Sequence, residues 1–116
     1  MSMKFYQNPE TGEIGTEACP GFAEIIPNTV DAAREKHVPV IARDGQTVTV
    51  TVGSVAHPMQ ENHYIGWILL ETANGQERKV LSPGEEPAAQ FYAAEDDTVL
   101  AAYAYCNLHG LWMAEA

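Results

Sequence analysis

From Pro39 onward the chain alternates apolar and polar residues in short runs, and that period of two predicts β-strands. Thr47-Val48-Thr49-Val50-Thr51-Val52 alternates strictly, with valines on one face and threonines on the other. Val38, Val40 and Ala42 lead into Asp44-Gly45, a two-residue hairpin signal. His63 to Glu71 is a further strand, and Asn74-Gly75 marks a hairpin into Glu77 to Leu81. Gln90 to Ala93 and Val99 to Ala104 complete a set of about seven short strands, with turn signals about every 8–12 residues. The pattern predicts an all-β chain built as an antiparallel sandwich.

The first 27 residues differ from the rest. They are rich in Gly, Pro, Asn and Glu, with turn signals at Asn8-Pro9-Glu10-Thr11-Gly12 and Cys19-Pro20-Gly21. They are expected to form a small irregular appendage with short strands, ahead of a main domain over 28–116. Asn28 to Lys36 predicts a short helix: Asn28 can cap it, Asp31 suits its first turn and the alanines favour it. Pro39 forces Val38 towards an extended shape, so the helix should stop near Lys36 or His37.

Composition narrows the function. The 116 residues hold six Lys+Arg against 16 Asp+Glu, a formal charge of −10. Such a chain repels duplex nucleic acid and anionic membranes, which demand clustered cations. No apolar run approaches the roughly 18 residues of a membrane span, and the N-terminus has no apolar signal core. A cytoplasmic location is therefore expected. Cys19 and Cys106 allow one bridge at most; in a reducing compartment a metal or redox role suits one of them better.

The candidate chemistry lies in four histidines and one cysteine. His37 follows Glu35-Lys36; His57 and His63 bracket Pro58-Met59-Gln60-Glu61-Asn62; Cys106-Asn107-Leu108-His109 precedes Gly110. No histidine is left over. His57 and His63 share a loop, since Pro58 forbids a continuous helix, and they converge on one metal only if that loop doubles back. A hydrogen-bonded loop pair is the other reading. Cys-x-x-His can place a thiolate and an imidazole on one ion, and Gly110 permits the tight turn; a buried structural cysteine beside a core histidine is the alternative. His37 alone could simply offset a helix dipole. Glu35 and Lys36 beside it would be natural gatekeepers of a metal. Structural zinc takes four ligands, usually richer in sulfur, and blue copper takes two His and one Cys. Four imidazoles and a thiolate suggest a square pyramid with sulfur on the axis and the opposite position open. Such an arrangement suits a redox-active iron binding a small oxygen species. Trp67, Tyr103, Tyr105 and Trp112 are expected in the core rather than in an electron path. Met59 is expected to pack rather than ligate, Cys19 to be an ordinary thiol, and Glu95-Asp96-Asp97 to form a solvated turn.

Glu35-Lys36-His37-Val38-Pro39, His57-Pro58…His63-Tyr64-Ile65-x-Trp67-Ile68 and Cys106-Asn107-Leu108-His109-Gly110-x-Trp112 resemble the superoxide reductase family of desulfoferrodoxins and neelaredoxins, from about Asn28 to the C-terminus. The resemblance implies an immunoglobulin-like β-sandwich. It also implies one Fe(II)/Fe(III) ion on His37, His57, His63 and His109 in the plane with Cys106 axial, and one-electron reduction of superoxide to hydrogen peroxide. The residue at Glu35 would swing in to ligate oxidised iron, and Lys36 would attract superoxide and help deliver protons. A homodimer and an electron donor such as rubredoxin or another reductant are implied as well. Two-iron members carry an N-terminal desulforedoxin-like domain with four cysteines. Here that region has only Cys19, so it resembles a vestige of the domain, and no second iron is expected. A non-catalytic iron electron carrier or metal-holding protein would use the same site.

Overall fold

The structure is a computed structural model, and it describes residues 3–30 and 37–116. Ten strands form among them: β1 (Phe5–Gln7), β2 (Ile14–Gly15), β3 (Ala23–Ile25), β4 (Pro39–Asp44), β5 (Thr47–Val52), β6 (Ile65–Thr72), β7 (Gly75–Val80), β8 (Ala88–Tyr92), β9 (Val99–Cys106) and β10 (Gly110–Glu115). They make three antiparallel sheets, ordered β2-β1-β3, β10-β9-β6-β7 and β4-β5-β8.

The period-two pattern decides the packing. Val48, Val50 and Val52 of β5 are fully buried and face Ile68 and Leu70 of β6 and Ala102 and Ala104 of β9, with Phe91 of β8 beside them. Each such buried aliphatic side chain contributes roughly 1.5–3 kcal/mol. The four-stranded sheet is also covered on its other face, where Leu69, Tyr103, Leu111 and Met113 pack on Phe5 of β1. The N-terminal segment is therefore no loose appendage; its small sheet forms a third layer.

Both hairpins turn one residue away from the sequence signals. Asp44 pairs with Thr47, so the first loop is Gly45-Gln46, with Gly45 at φ +62° in the leading position, where a type II′ turn needs glycine. Thr72 pairs with Gly75, so the second loop is Ala73-Asn74. The Ala73 amide donates to the Thr98 carbonyl at 2.9 Å and the Asn74 amide to Asp97 Oδ1 at 3.3 Å, so a neighbouring loop holds this turn. Asp97 is accordingly no free member of a solvated turn: it also accepts from the Thr98 amide at 2.8 Å, and Arg43 donates to the carbonyls of Asp97 and Ala94 at 2.7 and 2.8 Å.

No helix forms among the described residues. The short helix expected up to Lys36 falls on 31–36, outside them, together with Arg34, Glu35 and Lys36. Asn28, expected to cap it, does something else. Its amide donates to the Leu111 carbonyl at 2.8 Å and its own carbonyl accepts from Met113 at 2.9 Å, so the backbone at Asn28 runs along β10.

Candidate metal centre

Three connections deliver the candidate residues to one end of the two main sheets. His37 lies two residues before the start of β4; His57 and His63 lie between β5 and β6; Cys106 ends β9; His109 sits in the turn into β10. The register explains the convergence: Pro39 pairs with Val52, and Cys106 pairs with both Ile65 and Gly110.

The His57–His63 loop doubles back, as convergence required. Gln60 and His63 form an isolated antiparallel bridge, with N–H···O bonds of 2.8 and 3.1 Å around Glu61-Asn62. Met59 folds underneath, packs on the core, and its sulfur accepts from the Ile65 amide at 3.3 Å. It packs rather than ligates. Gly110 takes φ +86°, a conformation that glycine adopts without strain, and closes the turn after His109.

The four imidazoles stand in a closed ring. Centroid separations are 4.6 Å for His37–His57, 4.8 Å for His57–His63, 5.3 Å for His63–His109 and 5.0 Å for His109–His37. Cys106 Sγ lies 3.7 Å from His57 Nε2 and 3.8 Å from His109 Nδ1. Ligand atoms of His37, His57, His63 and Cys106 all fall within 4.8 Å of one another. His109 stands outside that tightest group, joined to it through the sulfur and two rings. Cys106, His37 and His57 are buried, His63 is half-buried and His109 is exposed, so the set has a dry floor and one solvent-facing edge.

Neighbours fix the donor atoms. His57 Nδ1–H donates to the Pro58 carbonyl at 2.7 Å, which leaves Nε2 as the electron-pair donor facing the sulfur. Trp112 stacks on His37 at 4.6 Å and 15°, while its indole N–H donates to the His109 carbonyl at 3.1 Å. One side chain thus braces two candidate ligands. Asn107 joins the other two motifs. Its Oδ1 accepts from the Tyr64 amide at 2.9 Å, its Nδ2 donates to the Asn62 carbonyl at 3.1 Å, and its own amide donates to the Tyr64 carbonyl at 3.2 Å.

Sequence reasoning missed Trp112 and Asn107 as parts of the site. Both stand inside the Cys106–Trp112 motif, which was the available signal. Tyr105, one residue before Cys106, points to the opposite face of the sheet and stacks on Trp67. Burial, then the nearby Cys106 and Tyr64 groups, push its phenol above the ordinary tyrosine range. Cys19 is exposed, as an ordinary thiol would be.

A thiolate with several imidazoles suits a transition metal. The donor set therefore fits one mononuclear redox metal of the kind iron provides. Fold and site together define an all-β protein with a candidate histidine–cysteine metal centre. The desulfoferrodoxin family pattern matches residues 29–115, and the chain belongs to that family. It is similar to the desulfoferrodoxin of Clostridium acetobutylicum, at 50% identity over 81% of this chain and 73% of the relative. It is also similar to the superoxide reductase of Pyrococcus horikoshii, at 37% identity over 70% of this chain and 85% of that protein. The crystal structure of the superoxide reductase from Treponema pallidum superposes with a TM-score of 0.83 at 37% identity, covering 98% of both chains.

Proposed function

We propose that this chain is a superoxide reductase. It carries out O2•− + 2H⁺ + e⁻ → H2O2 at one iron held by His37, His57, His63, His109 and Cys106. The observation that carries this reading is the closed ring of four imidazoles around a buried sulfur. Family membership and the names of similar proteins support it.

A bound iron supplies the Fe(II)/Fe(III) couple that gives superoxide its electron. The chain's residues do the rest. Pro58 keeps His57 in the tautomer that donates from Nε2. Trp112 holds the His37 ring and the His109 main chain in fixed relation. The hydrophobic core between the main sheets keeps water from Cys106, which is fully buried at its margin. Glu35 and Lys36 directly precede His37 in sequence. In this reading Lys36 would attract the anion and help deliver protons, and Glu35 would be available to ligate the oxidised ion.

The finer architecture follows the same reading: an immunoglobulin-like arrangement of the two main sheets, with residues 1–27 a desulforedoxin-like vestige that holds no second iron. The protein would work in the cytoplasm as a homodimer, reduced by rubredoxin or another donor.

The test is product analysis. Superoxide supplied to the ferrous protein should yield hydrogen peroxide, one per electron consumed, with no dioxygen from the protein-catalysed step. Catalysed dioxygen release would make it a dismutase. Iron that cycles with donors but leaves superoxide untouched would make it an electron carrier.

A further inference from the structure

Superoxide reduction consumes one electron per turnover, and that electron must enter somewhere. On the outer face of the four-stranded sheet lies a half-enclosed cavity of about 260 Å³. Its walls include Phe5 and Ile14 of the N-terminal sheet, Trp67 and Leu69 of β6, and Gln76 and Arg78 of β7. Two aromatic rings and two aliphatic side chains, with the Thr16 hydroxyl, an amide and one cation, make a small pocket whose lining is about as polar as it is apolar. The Arg78 guanidinium stands 5.5 Å from the Trp67 ring centre. The volume suits a single planar ring, and the cation selects an anion. The chain's −10 charge opposes an anion at long range, but that field is screened beyond about 8 Å while Arg78 acts at contact.

Trp67 and Tyr105, expected as core aromatics, do pack on the core, and they also lie between the cavity and the candidate metal site. Trp67 stacks on its cross-strand partner Tyr105 at 5.8 Å and 15°. From the Tyr105 ring to Cys106 Sγ the route is wholly covalent, through one peptide bond. One stacked contact therefore separates a molecule touching Trp67 from bonds leading to the candidate thiolate ligand.

We propose that this cavity is an electron-entry port for a small planar anionic reductant of the enediolate class, coupled to Cys106 through Trp67 and Tyr105. The proposal rests on the superoxide reductase reading above. The enediolate monoanion gives up one electron and one proton and becomes a radical anion. The proton passes to water at the cavity mouth, the electron returns the ferric ion to ferrous, and two radicals disproportionate in solution. The N-terminal sheet, with its single cysteine, thereby acquires a role as one wall of the port.

Ascorbate is the probe. Stopped-flow reduction of the full-length ferric protein should saturate with ascorbate concentration. Arg78→Ala should raise the half-saturating concentration about tenfold, the loss of one charge-assisted contact. Trp67→Leu should lower the limiting rate while Trp67→Phe keeps most of it. A second readout needs no turnover: in the full-length protein carrying zinc, ascorbate should shift the Trp67 indole resonance in NMR and leave that of Trp112 in place. A linear concentration dependence unchanged by Arg78→Ala overturns the port, as does a shift at Trp112 instead of Trp67. Peroxide formation by pre-reduced wild-type protein is measured separately, so the port can fail while the proposed function stands.

Discussion

Asn107 offers the sharpest test of how the centre is assembled, because its side chain ties the His57–His63 loop to the Cys106–His109 turn. Asn107→Ala removes the 2.9 Å bond from the Tyr64 amide and the 3.1 Å bond to the Asn62 carbonyl, while the main-chain bond to Tyr64 survives. At about 1 kcal/mol for each bond the loss is about 2 kcal/mol, rising towards about 3 if water does not reach the abandoned amide. For a chain of this size that lowers the melting temperature by roughly 8 °C. The metal should be lost faster too, since the loop bearing His63 is no longer held in register with Cys106 and His109. Urea unfolding and metal transfer to a chelator measure the two effects. A variant with wild-type midpoint and wild-type release rate would refute the claim that Asn107 couples the motifs.

Three further outcomes follow from the structure and the proposed function. Trp112→Phe should keep the stack on His37 and lose only the bond to the His109 carbonyl, about 1 kcal/mol, whereas Trp112→Ala should cost about 2–4 kcal/mol in urea unfolding and accelerate metal release. On the proposed function, Lys36→Ala should slow superoxide association in pulse radiolysis without releasing metal, because any unit charge brought to about 5 Å from an anion is worth about 3 kcal/mol at an effective dielectric of about 20; the deficit should shrink in high salt. The Thr72 hydroxyl, then the Thr98 and Asn74 amides and the Arg43 guanidinium, hold the Asp97 carboxyl below its ordinary value against partial burial. Its contribution is therefore complete above the unfolded value of about 3.9 and is lost as pH falls through the lower folded value. Asp97→Asn should flatten that acid limb of the urea midpoint, and an unchanged limb would count against the role.

Much of the fold was legible because a half-buried strand writes its faces into the chain. Thr47–Val52 reads as alternating and packs as alternating, with all three valines fully buried. The seventh strand of the two main sheets, β10, was harder to see. Leu111-Trp112-Met113 is short and continuously apolar, and it reads as the tail of a ligand motif rather than as a strand. The hairpin loops moved because tertiary contacts outvote dipeptide signals. Only Gly45 of Asp44-Gly45 takes a positive φ, and Ala73-Asn74 is held by Asp97 and Thr98, far away in sequence. The candidate ligands were legible because the chain has only four histidines and their spacing is distinctive. Their braces were not. Trp112 reads as one core aromatic among several until its ring is found against His37, and Asn107 reads as a turn residue until its two partners across the site are known.

The central claim is that Cys106 and the four imidazoles share one iron. The electronic spectrum of the oxidised iron protein, measured beside Cys106→Ser with its iron content determined, tests it most directly. The account predicts a thiolate-to-iron charge-transfer band that vanishes in the variant. A band that survives the substitution, with iron still bound, would contradict it.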